Sequence, residues 1–410
     1  MDNGELAVGA HRLLSAMKHR IELALLTVLS ALGGARPAQA VEYQVHGYAA
    51  QGFLYSTDNN FFGESSDGSW DYYEAGFNAS AQVHPNLLFA AQAAVRDAGI
   101  SDDGTLRLDY ALADYRFLPN VESTAGVRAG KIKNAMGFFN ETRDVIFTRP
   151  SILLPSVYSD NQNQRSLVFT SPGAQLYGSK TLGGHELSLT GTVNADRNVR
   201  KSDERLLINL SVPFDLRIKD SWNAQIMDSL DGGRWQFAFS HFFGRFTMST
   251  AESLGLVGKF DVSLDIFSVR YNAEKITITS EYVLNPNKNL LTLGGAPILR
   301  TSTTADRGYL QGEYRLNPQW NAVARIDASF TNRSDRNGRD FAAANPGADR
   351  KSQFSRDLMV GLNWRSGEHW GVWGEYHWIY GTASLQRLEN PSPVLEDRWG
   401  LFMLMAGFKL

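Results

Sequence analysis

Polar and apolar residues alternate with a period of two along most of this chain, and this alternation limits the fold more than any other feature. In DYYEAGFNASAQVHPNLLFAAQAAVRD, residues 71–97, apolar side chains recur at alternate positions on both sides of a His-Pro-Asn turn. Such a period is typical of strands with one apolar and one polar face, and the turn joins the two strands as an antiparallel hairpin. The alternation recurs at 187–194, 321–329 and 357–365. The chain is therefore predicted to be all-β.

The apolar face of these strands contains many small residues. In the first hairpin, Ala75, Ala79, Ala91 and Ala93 share that face with only a few large side chains. A water-soluble barrel needs bulky side chains to fill its interior, whereas a face that contacts lipid does not. The opposite face carries Glu, Arg, Asn and Gln within the strands, as expected of a face that lines water. We therefore predict a transmembrane barrel whose apolar face points outward.

Short and long connections alternate along the chain. Seven short turn signals, among them HPN at 84–86, separate eight longer polar stretches, which include 133–163, 246–258 and 285–307. Short turns at one rim and long loops at the other are typical of bacterial outer-membrane barrels. The pattern predicts an antiparallel transmembrane β-barrel of about 16 strands, and 14 or 18 strands stay open because the segment 204–233 divides in more than one way.

The first 40 residues have the layout of a secretory signal peptide. A basic stretch at 17–20 precedes an apolar run at 21–33, and Ala38-Gln39-Ala40 provides small residues for cleavage. An apolar run of about 13 residues is too short to span a bilayer as a helix. We expect residues 1–40 to be removed, with translation starting at Met17, and residues 41–410 to form the barrel.

Composition and motifs argue against several classes of function. The chain has no cysteine, which excludes disulfides and thiolate metal sites. Residues 41–410 are mildly acidic, which argues against nucleic acid as a partner. No GxSxG or HExxH motif is present, and His377, two residues from Glu375, is interpreted as structural or lumen-lining. We therefore predict no enzyme activity, no cofactor and no metal.

Two end strands and one long loop resemble those of bacterial outer-membrane porins. The opening strand is HGYAAQGFLYS at 46–56, and the last strand, 402–410, resembles the C-terminal strand that marks such barrels for assembly, although it ends in Leu instead of Phe or Trp. The third long loop, 133–163, resembles the constriction loop of general and phosphate-selective porins, which folds into the barrel. The resemblance implies an exported outer-membrane pore for small hydrophilic solutes, commonly a homotrimer.

The start of this loop carries an excess of positive charge. Between 128 and 149 there are five cationic residues and two carboxylates. Inside a water-filled pore such an excess concentrates anions. With two arginines on neighbouring strands, the candidate pore-lining residues are Arg96, Arg107, Arg128, Lys131, Lys133, Glu141, Arg143, Asp144 and Arg149. The alternative is that Arg143 pairs with Asp144 or Glu141 and only fixes the loop to the wall. For Phe138, Phe139, Ile152, Leu153 and Leu154 we expect packing against the wall.

Other functions stay open at this point. A closed or plugged barrel, with the loop filling the lumen, would act as an adhesin, scaffold or assembly partner. A transporter for hydrophobic compounds is disfavoured because the predicted inward face is polar. The basic loop at 331–356 suggests contact with lipopolysaccharide phosphates, although its three aspartates also suit an ordinary solvated loop.

Aromatic residues crowd the predicted strand ends. In outer-membrane barrels such rings form girdles at the two membrane boundaries, where the surrounding lipid would be a partner. The residues that predict girdles here are Tyr72, Tyr73, Trp364, Trp370, Trp378, Tyr380 and Trp399.

Overall fold

The computed structural model describes residues 41–119, 122–158, 165–207, 212–251, 253–392 and 394–410. The predicted signal peptide, residues 1–40, lies outside the described residues. In those described ranges, no helix is long and apolar enough to cross a membrane.

Strands account for most of the described chain. They are β1 (Glu42–Ser56), β2 (Tyr73–His84), β3 (Leu87–Asp97), β4 (Arg107–Pro119), β5 (Ser123–Lys133), β6 (Thr170–Leu182), β7 (His185–Asn194), β8 (Arg197–Asn198), β9 (Phe214–Leu230), β10 (Trp235–Thr250), β11 (Leu256–Asn272), β12 (Ile276–Leu293), β13 (Ala296–Arg315), β14 (Trp320–Phe330), β15 (Phe354–Ser366), β16 (Trp370–Tyr380) and β17 (Arg398–Lys409). Short helical segments lie in the connections: Ser65–Asp67, Ile146–Thr148, Ser156–Tyr158, Arg165–Phe169, Lys201–Leu207, Arg333–Asp335, Arg339–Ala344 and Arg350–Gln353.

The strands close into one antiparallel barrel. Each long strand pairs with the next, and the two-residue strand β8 continues the line of β7 along β9. β17 pairs with β1 from Tyr48↔Lys409 to Ser56↔Leu401, and β1 also pairs with β2. Apart from β8, the described residues contain sixteen strands, which confirms the predicted antiparallel 16-stranded barrel.

The two rims of the barrel differ. One rim, called here the tight-turn rim, has connections such as 85–86, 183–184 and 367–369. The opposite rim, called the long-loop rim, carries the connections 57–72, 98–106, 134–169, 195–213, 331–353 and 381–397. Two of the predicted long loops are wrong. The segment 246–258 is mostly strand, and the segment 285–307 consists of β12 and β13 joined through Gly294 and Gly295.

The Gly294-Gly295 pair explains why so polar a segment forms a hairpin. Their φ angles are 56° and 86°. A two-residue hairpin turn of the type that matches strand twist needs positive φ at both positions, which glycine adopts without steric cost. The strands therefore continue to the turn, and β12 and β13 reach 18 and 20 residues.

The outer surface is apolar along the strands, as the alternation predicts. Large exposed residues of neighbouring strands include Leu189, Ile226, Phe237, Phe267 and Ile278. Opposite positions such as Glu74, Gln92, Gln175, Asn223 and Gln311 are buried and point inward. This is the orientation expected of a barrel in lipid.

Aromatic rings gather at the tight-turn rim. Trp235 lies 4.6 Å from Tyr271 between ring centroids, and Trp370 lies 4.9 Å from Phe408. Trp364 and Trp370 therefore lie where a girdle was predicted. For two other residues the girdle prediction is wrong: Tyr72 and Trp399 are buried in an apolar cluster inside the barrel, because the long-loop connections fold over them.

Strands β9–β13, called here the tall side, have 16 to 20 residues each. Towards the long-loop rim their polarity inverts. Phe246, Met248 and Leu264 point inward and are buried. On the outer face, Arg245 bonds to Asp220 at 3.0 Å and to Asp261 at 2.8 Å. The predicted inward face is therefore not polar throughout.

Candidate functional site

The connection between β5 and β6, residues 134–169, is called here the lumen loop. Its described parts, 134–158 and 165–169, are largely buried. Their hydrogen bonds reach strands on other sides of the barrel, through Ser240, Glu281, Asp327, Asn363 and Glu375. Since β14–β16 lie across a sixteen-stranded barrel from β5 and β6, the loop spans the lumen.

Glu281 on β12 fixes the loop to the tall side. It accepts hydrogen bonds from the Phe138 N–H at 2.9 Å and from the hydroxyls of Tyr158 and Tyr309 at 2.7 Å each. The Ser268 hydroxyl donates to the same carboxylate at 2.7 Å. Four donors satisfy this buried group, which makes it a strong point of attachment.

Arg325 and Asp327 on β14 hold the loop at a second point. The Arg325 guanidinium donates to the Ser151 hydroxyl and to the Leu153 carbonyl, each at 3.0 Å. The Asp327 carboxylate accepts from the Ser156 N–H at 2.7 Å. Loop and wall are thus joined through backbone groups, which fixes the path of the chain and not only its side chains.

Glu375 on β16 provides a third attachment, and His377 supports it. The Glu375 carboxylate accepts from the backbone N–H groups of Ile152 and Leu153. His377 is fully buried, with Nδ1 2.7 Å from Asp357 and Nε2 3.3 Å from Glu375. Both ring nitrogens are engaged with wall carboxylates, which agrees with a structural role for this histidine.

Arg149 attaches the loop to β2. Its guanidinium lies 2.7 Å from the Glu74 carboxylate, and each side chain is only 2% exposed. The same guanidinium donates to the Arg143 carbonyl at 2.8 Å. An ion pair this deeply buried is held in place because separating it would leave an uncompensated charge.

Lys133 pairs with two carboxylates at the start of the loop. Its ammonium lies 3.0 Å from Asp109 and 2.6 Å from Asp144. The Asp144 carbonyl also accepts a hydrogen bond from the Tyr48 hydroxyl. The Arg143 guanidinium stacks 4.7 Å from the centre of the Phe169 ring. The loop cations are therefore already engaged with groups of the wall and of the loop itself.

Three of the other predicted site residues, Arg96, Arg107 and Lys131, lie on the wall, whereas Glu141 lies in the lumen loop. Arg107 forms a two-pronged pair with Asp102, and Arg96 lies 3.9 Å from the same carboxylate. Lys131 donates to the Leu108 carbonyl, and Glu141 is exposed.

Arg128 belongs to a separate group on β4–β6. Its guanidinium pairs with Asp114 at 3.1 Å, donates to Gln175 at 2.9 Å and stacks over Tyr177. The predicted residues thus fall into several paired groups instead of one continuous cationic row.

Apolar loop residues pack against both sides of the barrel. Met136, Phe139, Leu154, Val157 and Tyr158 join a cluster with inward residues of the tall side. Ile146, Phe147 and Ile152 join a second cluster with β1, β16 and β17, whose inward residues include Trp373, Met403 and Met405. Phe138 and Leu153 are partly buried against these clusters. The five loop residues expected to pack therefore do so.

A chamber of about 400 Å³ lies between the lumen loop and the tight-turn rim. Its charged lining consists of Arg149, Arg270, Lys275, Arg315, Arg365, Glu274 and Glu313. Of the five cations, Arg149 is paired with Glu74 outside this lining, which leaves four cations beside two carboxylates.

Sequence reasoning missed these cations. The signal that identifies them is position: Arg270, Arg315 and Arg365 each lie on the inward face of a strand, next to a tight turn. In the described parts of the chain, no group of three or more His, Cys, Asp or Glu residues is placed to hold a metal ion.

These features define a class of structure: a closed sixteen-stranded antiparallel barrel whose third long connection crosses the lumen. It is the architecture of the bacterial outer-membrane porins, so the fold expected from the resemblance is confirmed. No protein-family model matches the chain, and no curated protein sequence matches it.

Solved structures of that class are similar to this chain. The outer membrane channel DcaP of Acinetobacter baumannii has a TM-score of 0.55 at 11% identity, covering 92% of this chain and 100% of that one. OmpF of Salmonella typhi, in complex with daunomycin, has 0.53 at 10%, covering 90% and 97%. The anion-selective porin from Comamonas acidovorans has 0.51 at 9%, covering 90% and 99%. At these identities the likeness establishes the fold.

Proposed function

We propose that this chain forms a passive pore in the bacterial outer membrane for small hydrophilic solutes, with a preference for anions. The chamber at the tight-turn rim carries this proposal, because its polar lining has more cations than carboxylates. Positive charge on the wall of a narrow aqueous space raises the local concentration of anions. Export through the segment 1–40 and residence in the outer membrane, with lipid around the apolar belt, belong to the same proposal.

Ion preference depends on residues that remain accessible to solvent. Lys275 and Arg315 are exposed and line the chamber, whereas Arg143 and Arg149 are buried. That Arg143 and Arg149 line the pore and help to concentrate anions stays a prediction. Replacing Arg149 would also break its pair with Glu74, so the exposed chamber residues give a cleaner test.

The test is conductance in planar bilayers with residues 41–410. We expect stepwise currents and, in a salt gradient, a reversal potential of the sign for anions. The double variant Lys275→Glu with Arg315→Glu should move that potential towards cations, most strongly at low salt where screening is weak. Lys288→Glu is the matched control, since Lys288 is exposed on the outer face of β12. An unchanged potential in the double variant contradicts the anion preference.

The second candidate is a closed barrel that acts as an adhesin, scaffold or assembly partner. The observation that favours it is the extent to which the lumen loop is buried in two apolar clusters. The same recordings separate the two functions, because a plugged barrel inserts into the bilayer without current steps.

A homotrimer, which the resemblance to general porins implies, is also part of the proposal. Cross-linking of the protein in native membranes tests it. Contact of the loop 331–356 with lipopolysaccharide stays a prediction. Two of its cations are paired within the protein, Arg336 with Asp306 and Lys351 with Asp397, which supports the alternative of an ordinary solvated loop.

A further inference from the structure

A cluster of positive charge lies on the outer face of the tall side. Arg217 and Lys219 lie on β9, and Lys259 lies on β11. Between these strands, Thr247 on β10 pairs in register with Arg217 on one side and with Lys259 on the other. Since adjacent strands are about 4.8 Å apart, these two cations are roughly 10 Å from each other across Thr247. The three cations and Thr247 are called here the outer cation cluster.

The carboxylates beside this cluster are engaged with other cations. Asp220 and Asp261 both pair with Arg245, at 3.0 and 2.8 Å. Asp215 pairs with Lys201 at 2.6 Å. In the parts of the chain that the structure describes, the three cations of the cluster form no ion pair. The strands around the cluster therefore leave three positive charges without a counter-charge.

The cluster lies at one boundary of the membrane-crossing part of the wall. On β10, Trp235 belongs to the aromatic residues of the tight-turn rim, and Arg245 comes ten residues later on the same outer face. A tilted strand crosses the hydrocarbon core in about 9–11 residues. Lys219 pairs in register with Arg245, and Arg217 pairs with Thr247, one outward position farther from the tight-turn rim. The cluster therefore lies at the level of the lipid headgroups.

Apolar rings lie next to the cluster, on the side of the hydrocarbon core. Trp222 on β9 pairs in register with Phe243 on β10, and Trp222 is 43% exposed on the outer face. A surface with rings at the edge of the core and cations just beyond them matches a molecule with acyl chains and an anionic head. A phosphate group suits this arrangement, because its oxygens accept charge-assisted hydrogen bonds from arginine and lysine.

We propose that the outer cation cluster binds the phosphate group of a lipid in the leaflet at the long-loop rim, with the acyl chains of this lipid against Trp222 and Phe243. The three cations surround the phosphate, and the Thr247 hydroxyl donates a hydrogen bond to it. A lipid supplies the phosphate because the cluster faces the bilayer on the outside of the barrel. This inference rests on the proposed residence in the outer membrane and does not depend on passage of ions through the lumen.

The probe is dioleoyl phosphatidic acid, which has a phosphate head and no other charged group. Native mass spectrometry of residues 41–410 in a neutral detergent measures the bound lipid during a titration. We expect one tightly bound phosphatidate per chain. Dioleoyl phosphatidylcholine carries a cation next to its phosphate and should bind roughly tenfold more weakly, the loss expected when one charge-assisted contact is removed. Inorganic phosphate at the same concentrations should not displace phosphatidate.

A double variant tests the cluster itself. Arg217→Gln with Lys259→Gln removes two exposed charges from it. Lys180→Gln with Arg234→Gln is the matched control, because these two cations are exposed near the tight-turn rim and the loss of charge is the same. We expect the cluster variant to bind phosphatidate roughly tenfold more weakly and the control to bind it as the unaltered protein does. Circular dichroism checks that both variants keep the folded barrel.

Unchanged phosphatidate affinity in the cluster variant overturns the proposal, and so does equal binding of phosphatidylcholine. An equal loss in the control overturns it as well, because binding would then follow total charge. Displacement by inorganic phosphate overturns a lipid as the source. The measurement needs no current through the barrel. A protein that binds phosphatidate without conducting ions would therefore refute the pore alone, and a conducting protein that does not bind phosphatidate would refute the cluster alone.

Discussion

The barrel wall differs between its two sides. Strands β2–β7, called here the short side, have 10 to 13 residues, whereas the tall side has 16 to 20. About 10 tilted residues cross the hydrocarbon core. The short strands are just long enough for this crossing, and long connections build up the rim beyond them. The tall strands exceed this length, and towards the long-loop rim their apolar residues lie on the inner face.

This difference shows that the alternation of polar and apolar residues separates the two faces of a strand. It does not show which face meets lipid and which face meets the lumen. On β10, Phe237 and Phe239 are exposed on the outer face, whereas Phe242 and Phe246 are buried on the inner face. The two sides also hold the lumen loop differently. The short side uses the ion pair between Arg149 and Glu74, and the tall side uses hydrogen bonds to Glu281.

The largest effect is expected at the attachment on the short side. Glu74→Gln leaves the Arg149 guanidinium buried without its counter-charge, and the free energy of unfolding should fall by about 3–5 kcal/mol. Urea unfolding in phospholipid vesicles measures this. The double variant Glu74→Gln with Arg149→Leu should recover most of the loss, and Glu141→Gln, at an exposed loop carboxylate, should have little effect. A double variant as unstable as the single one would show that the ion pair does not hold the loop.

A second test compares the outer faces of the two sides directly. Leu189→Arg places a charge on the lipid face in the middle of β7 and should cost about 2–4 kcal/mol. Val257→Arg places the same charge near the long-loop end of β11, beyond the lipid, and should cost about 0–1 kcal/mol. Both residues are exposed and apolar, so each controls for the other. Equal losses in the unfolding free energy would contradict the different positions of the two sides in the membrane.

The smallest effect is expected at the long-loop rim, where the connection between β16 and β17 meets two connections next to the short side. Glu389 accepts hydrogen bonds from the N–H groups of Gly63 and Ile100, which joins three long connections. Burial raises the pKa of Glu389 above its ordinary value of 4.5. The folded protein therefore binds the Glu389 proton more tightly than the unfolded chain does. The stabilisation of the folded state by this protonation is fully present below pH 4.5 and is lost as the pH rises through the raised pKa.

Protonation of Glu389 should therefore raise the midpoint temperature of thermal unfolding as the pH is lowered from 7 to 5. Glu389→Gln should reduce the pH dependence, and Glu186→Gln, exposed near the tight-turn rim, should not. An unaltered pH profile for Glu389→Gln would mean that this carboxylate does not link the connections.

Much of this fold could be predicted from sequence because a barrel in lipid imposes simple local rules. The alternation at 71–97 and 357–365 gave the strands, the turns gave their antiparallel order, and the third long connection was expected to fold inward. Strand ends on the tall side could not be predicted, since those residues no longer meet lipid and the polarity rule no longer applies to them.

The candidate site was harder to predict for a physical reason. That Arg149 meets Glu74, or Lys133 meets Asp109 and Asp144, depends on where a long loop crosses a closed barrel, and closure brings together strands far apart in sequence. Residue type and spacing identified charged positions such as Arg143 and Arg149. They did not reveal which charges are already neutralised by a partner.

The hairpin at Gly294-Gly295 has a consequence for how molecules reach the barrel mouth. With strands of 18 and 20 residues behind it, this part of the wall projects well past the membrane surface on one side only. In the proposed pore, this projecting sheet would shield the mouth from large particles that arrive from its side of the barrel.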